Sequence, residues 1–334
     1  MRILLIHQYF LEKGDAGGSR FNEMTQVWAS QGHDITVLAG IVHYATGKKP
    51  NRYKGKFTHK DEQFYDKVDV VRCHVSESYN VSFLGRLWAY FSFVFSSIYA
   101  GIFKTKGKFD FILVSSPPLF VGITAYVLSK LKRIPFVFEV RDLWPESAID
   151  TGILKNGMII KFAYWFEKIL YKKAKLINVL TPAFRDKLIQ SKKVPAEKII
   201  FIPNAADFSL AEKIQKNFDA VAFKKELGLD DKFVCFWNNR NARRKQSGTL
   251  IYWFKEFLDK VGHDKATLIM HTDVKDVHGQ DLEAIIQELG LTNGEILFSR
   301  AKVNATDLAM VYNMADLTIN ISDAEGFGLA TLES

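Results

Sequence analysis

An α/β architecture with two parallel-sheet domains follows from three features of this 334-residue chain. Short apolar runs alternate with stretches of helical spacing from end to end, the pattern of strand, crossover helix and next strand. Several of those runs end in turns rich in glycine, asparagine and charge, where doubly wound sheets hold their ligands. The apolar content of 48% over this length suffices for two cores.

Arg2 to Ile6 reads as a buried first strand, and the run from Met1 to His7 lacks the apolar length of a signal peptide. Gly14 to Arg20 then forms a glycine turn. Gly17 and Gly18 allow a ligand close to the backbone, and Ser19 is placed to cap a helix marked by Phe21, Met24, Val27 and Trp28. A tight turn without a ligand satisfies the same residues. Gly-x-Gly-x-x-Gly is absent, so this is not the dinucleotide fingerprint. Asp34 to Ala39 is the second strand, and Gly40 to Asp66 is polar, basic and poorly periodic, which suggests a mobile substrate-side loop.

Lys67 to His74 returns to a strand pattern, and Val81 to Phe103 is the most apolar stretch, interrupted by Arg86. Because the strands on either side belong in one sheet, a single crossing would divide them across a bilayer. A helix packed on the core is therefore expected, with a helix lying in the membrane interface as the alternative. Next come a strand from Phe109 to Ser115, a helix through Leu131, and the strand Phe136 to Val140 running into Arg141-Asp142-Leu143-Trp144-Pro145-Glu146-Ser147. Charges, an indole and a proline at the carboxyl end of a buried strand suit a ligand site, although an Arg141–Asp142 pair in a plain loop is the competing reading.

Phe162, Trp165, Phe166, Ile169 and Leu170 form an apolar stripe beside Lys161, Lys168, Lys172, Lys173 and Lys175. Core packing is expected there, with contact to anionic lipid as the alternative. Leu176 to Leu180, a helix after Thr181-Pro182, and Lys198 to Ile202 lead to Pro203-Asn204-Ala205-Ala206-Asp207. The expected division is a first domain at 1–203, a linker at 204–219 and a second domain at 220–334.

The second half repeats the alternation, with strands at Phe233–Trp237, Thr267–Met270, Ile296–Ser299 and Leu317–Ile321. Directly after the first of these stands Asn238-Asn239-Arg240-Asn241-Ala242-Arg243-Arg244-Lys245, four cations in an otherwise acidic half. After the last comes the glycine turn Ser322 to Gly328 and a helix expected to begin near Phe327. Glu325 and Glu333 are seven residues apart in the sense of intervening positions, about two helical turns. They are placed to hold the hydroxyls of a polyhydroxylated ligand whose phosphates meet the helix end. Alternatively, Glu325 caps the helix and Glu333 faces solvent.

The net charge of +8 is uneven: residues 1–200 carry 30 basic against 17 acidic side chains, and residues 201–334 carry 15 against 20. The basic half suggests an anionic partner, either a membrane surface or a phosphorylated substrate. Nucleic acid is disfavoured, since no RNP-type aromatic motif, zinc spacing or long basic helix occurs. Two cysteines, Cys73 and Cys235, make no disulfide framework. A reducing compartment follows, so the cytoplasm is expected, with peripheral attachment to the inner face of the plasma membrane left open.

The stretch from Glu325 through Gly326, Phe327, Gly328 and Leu329 to Glu333 resembles the Glu-x7-Glu motif of retaining glycosyltransferases of family 4. That resemblance implies the GT-B fold, two Rossmann-like domains facing across a cleft. It implies that Glu325 contacts the donor sugar, that Glu333 contacts the nucleotide ribose, and that Gly326 to Leu329 shape the donor site. Arg240 and Lys245 match the arginine and lysine that hold the donor diphosphate; Arg243 and Arg244 have no firm counterpart. Gly17 and Gly18 match a loop facing the donor phosphates and acceptor.

The block from Arg141 to Ser147 resembles a signature of the subgroup containing bacterial N-acetyl-L-fucosamine transferases of surface-polysaccharide assembly. Asp142 is then expected to face the acceptor near the reacting carbon, with Arg141 and Trp144 beside it. Pro203 to Asp207 resembles the family's Pro-Asn-Gly-Val-Asp junction, with Ala205 in the glycine's place. The implied chemistry is transfer of a sugar, with retention, from a nucleotide diphosphate sugar to a saccharide or lipid-linked acceptor of an O-antigen or capsule type. No cofactor is expected, and no Asp-x-Asp suggests a metal-bound diphosphate.

Family members continue well past the second glutamate, whereas this chain stops one residue after Glu333, so the second domain is expected to be incomplete at its C-terminus. Two other functions suit the same fold: a nucleotide-sugar epimerase, which needs a water-activating carboxylate or histidine, and a non-catalytic binding protein. A nicotinamide-dependent dehydrogenase is disfavoured by the missing fingerprint.

Overall fold

The computed structural model describes residues 1–12, 20–42, 47–61, 64–80, 82–150, 154–205, 218–276, 279–299, 303–323, 325 and 327–334. The chain divides into two compact units, Met1–Pro203 and Asn204–Ser334.

In the first unit the order is β1 (Arg2–Ile6), α1 (Arg20–Ser30), β2 (Asp34–Gly40), β3 (Thr58–Lys60), β4 (Val68–Cys73), α2 (Phe83–Phe103), β5 (Phe111–Ser116) and α3 (Val121–Lys132). There follow β6 (Phe136–Val140), α4 (Glu146–Asp150), α5 (Gly157–Lys173), β7 (Leu176–Val179), α6 (Pro182–Gln190) and β8 (Ile199–Phe201). The eight strands lie in the order β3-β4-β2-β1-β5-β6-β7-β8. All pairs are parallel except β3, which runs antiparallel to β4 at the sheet edge. Strand order reverses between β1 and β5, which makes their carboxyl ends the switch point of this sheet.

Both faces are covered, so the central strands are apolar along their whole length: Leu4, Leu5 and Ile6 are fully buried. Helices α2, α3 and α5 pack on one face around Leu4, Ile6, Phe93, Leu128, Phe138 and Leu170. The other face carries α1, whose Phe21 joins Leu5, Ile35, Val37 and Val70. Gly101 and Gly122 permit this close layer, because a Cβ at either would lie 2.3 Å from Leu128 and 2.4 Å from Leu170 respectively.

Two sequence expectations change here. The Gly40 to Asp66 connection is not a loose loop in its described parts: Tyr53 is fully buried, and β3 adds a strand. The buried Arg72 guanidinium fixes its far end by donating to Asp61 Oδ2 (2.8 Å) and to the carbonyls of Phe10 and Leu11. Helix α2 packs Ala89, Phe93 and Ala100 inward as expected, but Leu84, Trp88, Phe95 and Phe103 stand exposed on its other side. Among the described residues no helix is long and apolar enough to cross a membrane.

The second unit runs α7 (Ala220–Glu226), β9 (Phe233–Asn238), α8 (Ser247–Val261), β10 (Ala266–His271), α9 (Leu282–Glu288), β11 (Ile296–Ser299), α10 (Ala305–Met314), β12 (Leu317–Thr318) and α11 (Leu329–Leu332). Its four parallel strands are ordered β11-β10-β9-β12. The switch point falls between β9 and β12. Residues 206–217 of the expected linker lie outside the described residues, and Asp219 opens α7 by accepting from Val221 N (3.1 Å) and Ala222 N (2.9 Å).

The last strand is shorter than its alternation suggests. Ile319 N still reaches Phe236 O (2.8 Å), after which Ile319 and Ile321 pack on the core without a ladder. Helix α11 starts at Leu329 rather than near Phe327, because Gly328 takes a left-handed φ of +82° that no helix contains.

Candidate active site

The cationic loop after β9 is held from below by one buried amide. Asn241 is fully buried; its Nδ2 donates to Gln280 O (2.7 Å), and its Oδ1 accepts from Ser247 Oγ (2.7 Å) and Gln280 N (3.2 Å). Gly279 is needed beneath it, since a Cβ there would fall 2.3 Å from the Asn241 carbonyl. Gln246, at a left-handed φ of 54°, turns the chain into α8, so a helix N-terminus follows Lys245 directly.

Against this loop lies the turn after β12. Lys245 Nζ donates to Asn239 Oδ1 (2.6 Å) and forms an ion pair with Glu325, while Arg244 NH1 reaches Glu325 Oε2 at 3.4 Å. Glu325 also accepts from Ser322 Oγ (3.2 Å). It is therefore an ion-pair partner, and the helix-cap alternative does not describe it. The backbone joins the two turns as well: Asp323 N donates to Arg244 O (2.9 Å), and Gln246 Nε2 donates to Asp323 Oδ2 (2.7 Å). Residues about 80 positions apart thus meet at the switch point of the second sheet, where β9 and β12 end side by side.

Arg240 pairs with Asp276. Its Nε and NH2 make a bidentate pair with Asp276 at 2.6 and 3.0 Å, and its side chain is 59% exposed. Glu333 follows the end of α11 and shares a hydrogen bond with the Tyr312 hydroxyl, which also accepts from Asn238 Nδ2 (2.9 Å). Burial, aided by Glu333, pushes the Tyr312 phenol up to about 12. Phe327 and Gly328 complete the turn, each half-buried, and Leu329 opens α11. Gly326 lies outside the described residues.

Burial is the main cause that lowers the Lys245 ammonium from its usual 10.5 to about 8, and the neighbouring Arg244 guanidinium adds to it. The Glu325 carboxylate against it works the other way.

In the first unit, Arg141, Asp142 and Trp144 follow β6, all half-buried. Arg141 Nε donates to Ser116 O (3.2 Å) across the β5 end, and the Trp144 ring meets Phe120 edge-on at 5.7 Å. Beneath them is a network that the sequence reading passed over. Glu139, buried inside β6, accepts from Arg20 NH1 (2.6 Å), Ser115 Oγ (2.9 Å) and Asn178 Nδ2 (3.1 Å). A lone carboxylate in the otherwise apolar run Phe136 to Val140 was the available signal. His7, directly after β1, is buried, with no partner at Nδ1 among the described residues. Burial first, then Arg141 and Arg20, hold its imidazole well below 6.5 and so keep it neutral near pH 7. Gly17 and Gly18 lie outside the described residues.

Two units of this construction, each a sheet with a switch point and the second smaller, define a GT-B fold. Solved structures share it along essentially the whole chain. Anabaena HepE in complex with UDP and glucose superposes with a TM-score of 0.63 at 19% identity, covering 100% of this chain and 77% of that one. Sucrose-phosphate synthase from Thermosynechococcus elongatus gives 0.66 at 16% identity, covering 99% and 78%.

Residues 16–205 match the family described as glycosyl transferase 4-like domain, and the chain belongs to that family. Among curated proteins it is 25% identical over 232 residues to the putative colanic acid biosynthesis glycosyl transferase WcaI of Escherichia coli K12. That match covers 69% of this chain, which spans 56% of the relative's length.

Proposed function

We propose that this protein transfers a sugar from a nucleotide diphosphate sugar to a saccharide or lipid-linked acceptor, with retention and without a metal. The observation that carries this reading is the meeting of Lys245 and Arg244 with Glu325 at the switch point of the second sheet. Family membership and the resemblance to WcaI, named for colanic acid biosynthesis, support surface-polysaccharide assembly as the setting.

In the proposed reaction, Arg240 and Lys245 take the donor diphosphate beside the N-terminus of α8. A diphosphate at Lys245 displaces Glu325, which is then released to bind the hydroxyls of the donor sugar. Glu333 holds the ribose. As the glycosidic bond to phosphate breaks, negative charge grows on the departing diphosphate and positive charge on the anomeric carbon. Cations already in place once the diphosphate is bound stabilise the first. The acceptor hydroxyl attacks from the leaving-group face and gives its one proton either to a donor phosphate oxygen, with Asp142 as positioning group, or to Asp142 as acceptor-side base, with Arg141 and Trp144 beside it.

A thermal-shift panel of nucleotide diphosphate sugars tests the reading. One donor is expected to raise stability by about 2.7 kcal/mol at a hundred times its dissociation constant. A panel without any response would oppose it, and epimerisation of the donor without acceptor would point to the epimerase instead.

Proton linkage gives a second test. With Lys245 titrating near 8, its positive charge is present below that pH and lost above it. The dissociation constant for a nucleoside diphosphate is expected to rise as pH passes 8, by up to about tenfold per unit. Calorimetry at pH 7 and 9.5 measures this. Lys245→Arg, charged throughout, is expected to abolish the pH dependence.

A further inference from the structure

We propose that the layer formed by α2, α3 and α5 is a docking surface for an anionic lipid bilayer, on which the first unit lies with these helices flat at headgroup depth. On α2 the residues facing away from the core are Leu84, Trp88, Phe95 and Phe103, exposed by 74, 56, 57 and 67%. Their spacing makes one stripe along the whole helix. On α5 the matching stripe is Met158, Phe162 and Trp165, exposed by 79, 50 and 58%. Both helices belong to the layer whose inner sides fill one core cluster, so both stripes face outward from it.

The exposed charge on the two helices themselves is basic. Helix α2 contains no acidic residue, and the one carboxylate of α5, Glu167, is buried against Lys192. Outward charge on α5 comes from Lys161, Lys168, Lys172 and Lys173, all exposed. At the far end of α2, Phe57 leaves the basic connection beside the exposed Lys54 and Lys56 and meets the Tyr99 ring at 5.4 Å. Aromatic and aliphatic groups flanked by these lysines fit acyl chains below anionic headgroups, with the exposed carboxylates Glu77, beside the start of α2, and Asp150, near Tyr164 of α5, as the exceptions. A protein partner fits less well, because interface cores are depleted in lysine.

The surface is also joined to the acceptor-side loop. Ring contacts run from Phe162 to Phe166 (6.3 Å), from Phe166 to Phe120 (6.0 Å) and from Phe120 to Trp144 (5.7 Å). Docking by α5 thus brings the Arg141–Asp142 loop to the headgroups, where a lipid-linked acceptor presents its saccharide. That last consequence rests on the proposed function; the docking itself does not.

Flotation of the intact protein with vesicles of phosphatidylcholine, with and without phosphatidylglycerol, tests the proposal. Retention by the anionic vesicles is expected. Neutralising Lys161, Lys168 and Lys172 to glutamine should weaken partitioning about fivefold per lysine, and Phe162→Ser with Trp165→Ser should weaken it at least about tenfold. These side chains are exposed, so the melting temperature should hold, and Trp253→Ser, exposed in the second unit, should leave retention unchanged. Absence of retention, equal retention by phosphatidylcholine alone, or unchanged retention of the Phe162/Trp165 variant would overturn the proposal. So would a soluble dimer that the same variant dissociates. Nucleoside diphosphate binding measured without lipid reads the transferase proposal separately: nucleotide binding without vesicle binding overturns the docking surface alone, and the converse overturns the transferase reading alone.

Discussion

Replacement of Lys245 by alanine is expected to reduce sugar transfer by about 10²- to 10³-fold, the usual effect of removing one fixed group that stabilises transition-state charge. The fold should survive. Lys245 is buried and its ammonium is held at about 8, so the folded state disfavours that charge rather than depending on it. Asn239 Oδ1 loses a donor, while Glu325 keeps Arg244 and Ser322 as partners. The net change in stability should stay within about 1 kcal/mol. Unchanged turnover at saturating donor would remove the diphosphate assignment.

The largest effect on stability is expected at Glu139→Ala. This carboxylate ties α1, β5, β6 and β7 together through Arg20, Ser115 and Asn178, directly beneath the Arg141–Asp142 loop. Its removal leaves Arg20, 17% exposed, without its carboxylate and orphans two buried donors. A loss of roughly 3–5 kcal/mol is expected, read as a lower urea midpoint at unchanged slope. Pairing Glu139→Leu with Arg20→Met should recover a good part of it, because the stranded charge goes with its partner. Additive losses in that double variant would contradict the ion pair's role.

Much of the fold was legible because buried parallel strands announce themselves. Ile3 to Ile6 and Ile112 to Val114 are continuous apolar runs that could be placed without a partner in view. The edge strand β3 was not legible: Thr58, His59 and Lys60 carry no apolar alternation, and only pairing with β4 makes them a strand. The outward stripe of α2 was hidden for the opposite reason, since Leu84 and Trp88 look like core until the sheet shows which side it covers.

The two halves of the candidate site were each visible as motifs, Asn238 to Lys245 and Ser322 to Glu333. Which cation meets which acid was not, because that depends on β12 pairing with β9 and on the left-handed turn at Gln246. Arg244, without a role in the sequence, shares Glu325 with Lys245, whereas Arg240 is occupied by Asp276, a residue that no motif marked.

Hydrogen exchange on the intact protein, with and without a nucleoside diphosphate, tests most directly whether this switch point is where the donor binds. Slower exchange in peptides spanning 239–246 and 320–333 is predicted. Slowing confined to other strands, with both turns unaffected by saturating nucleotide, would contradict it.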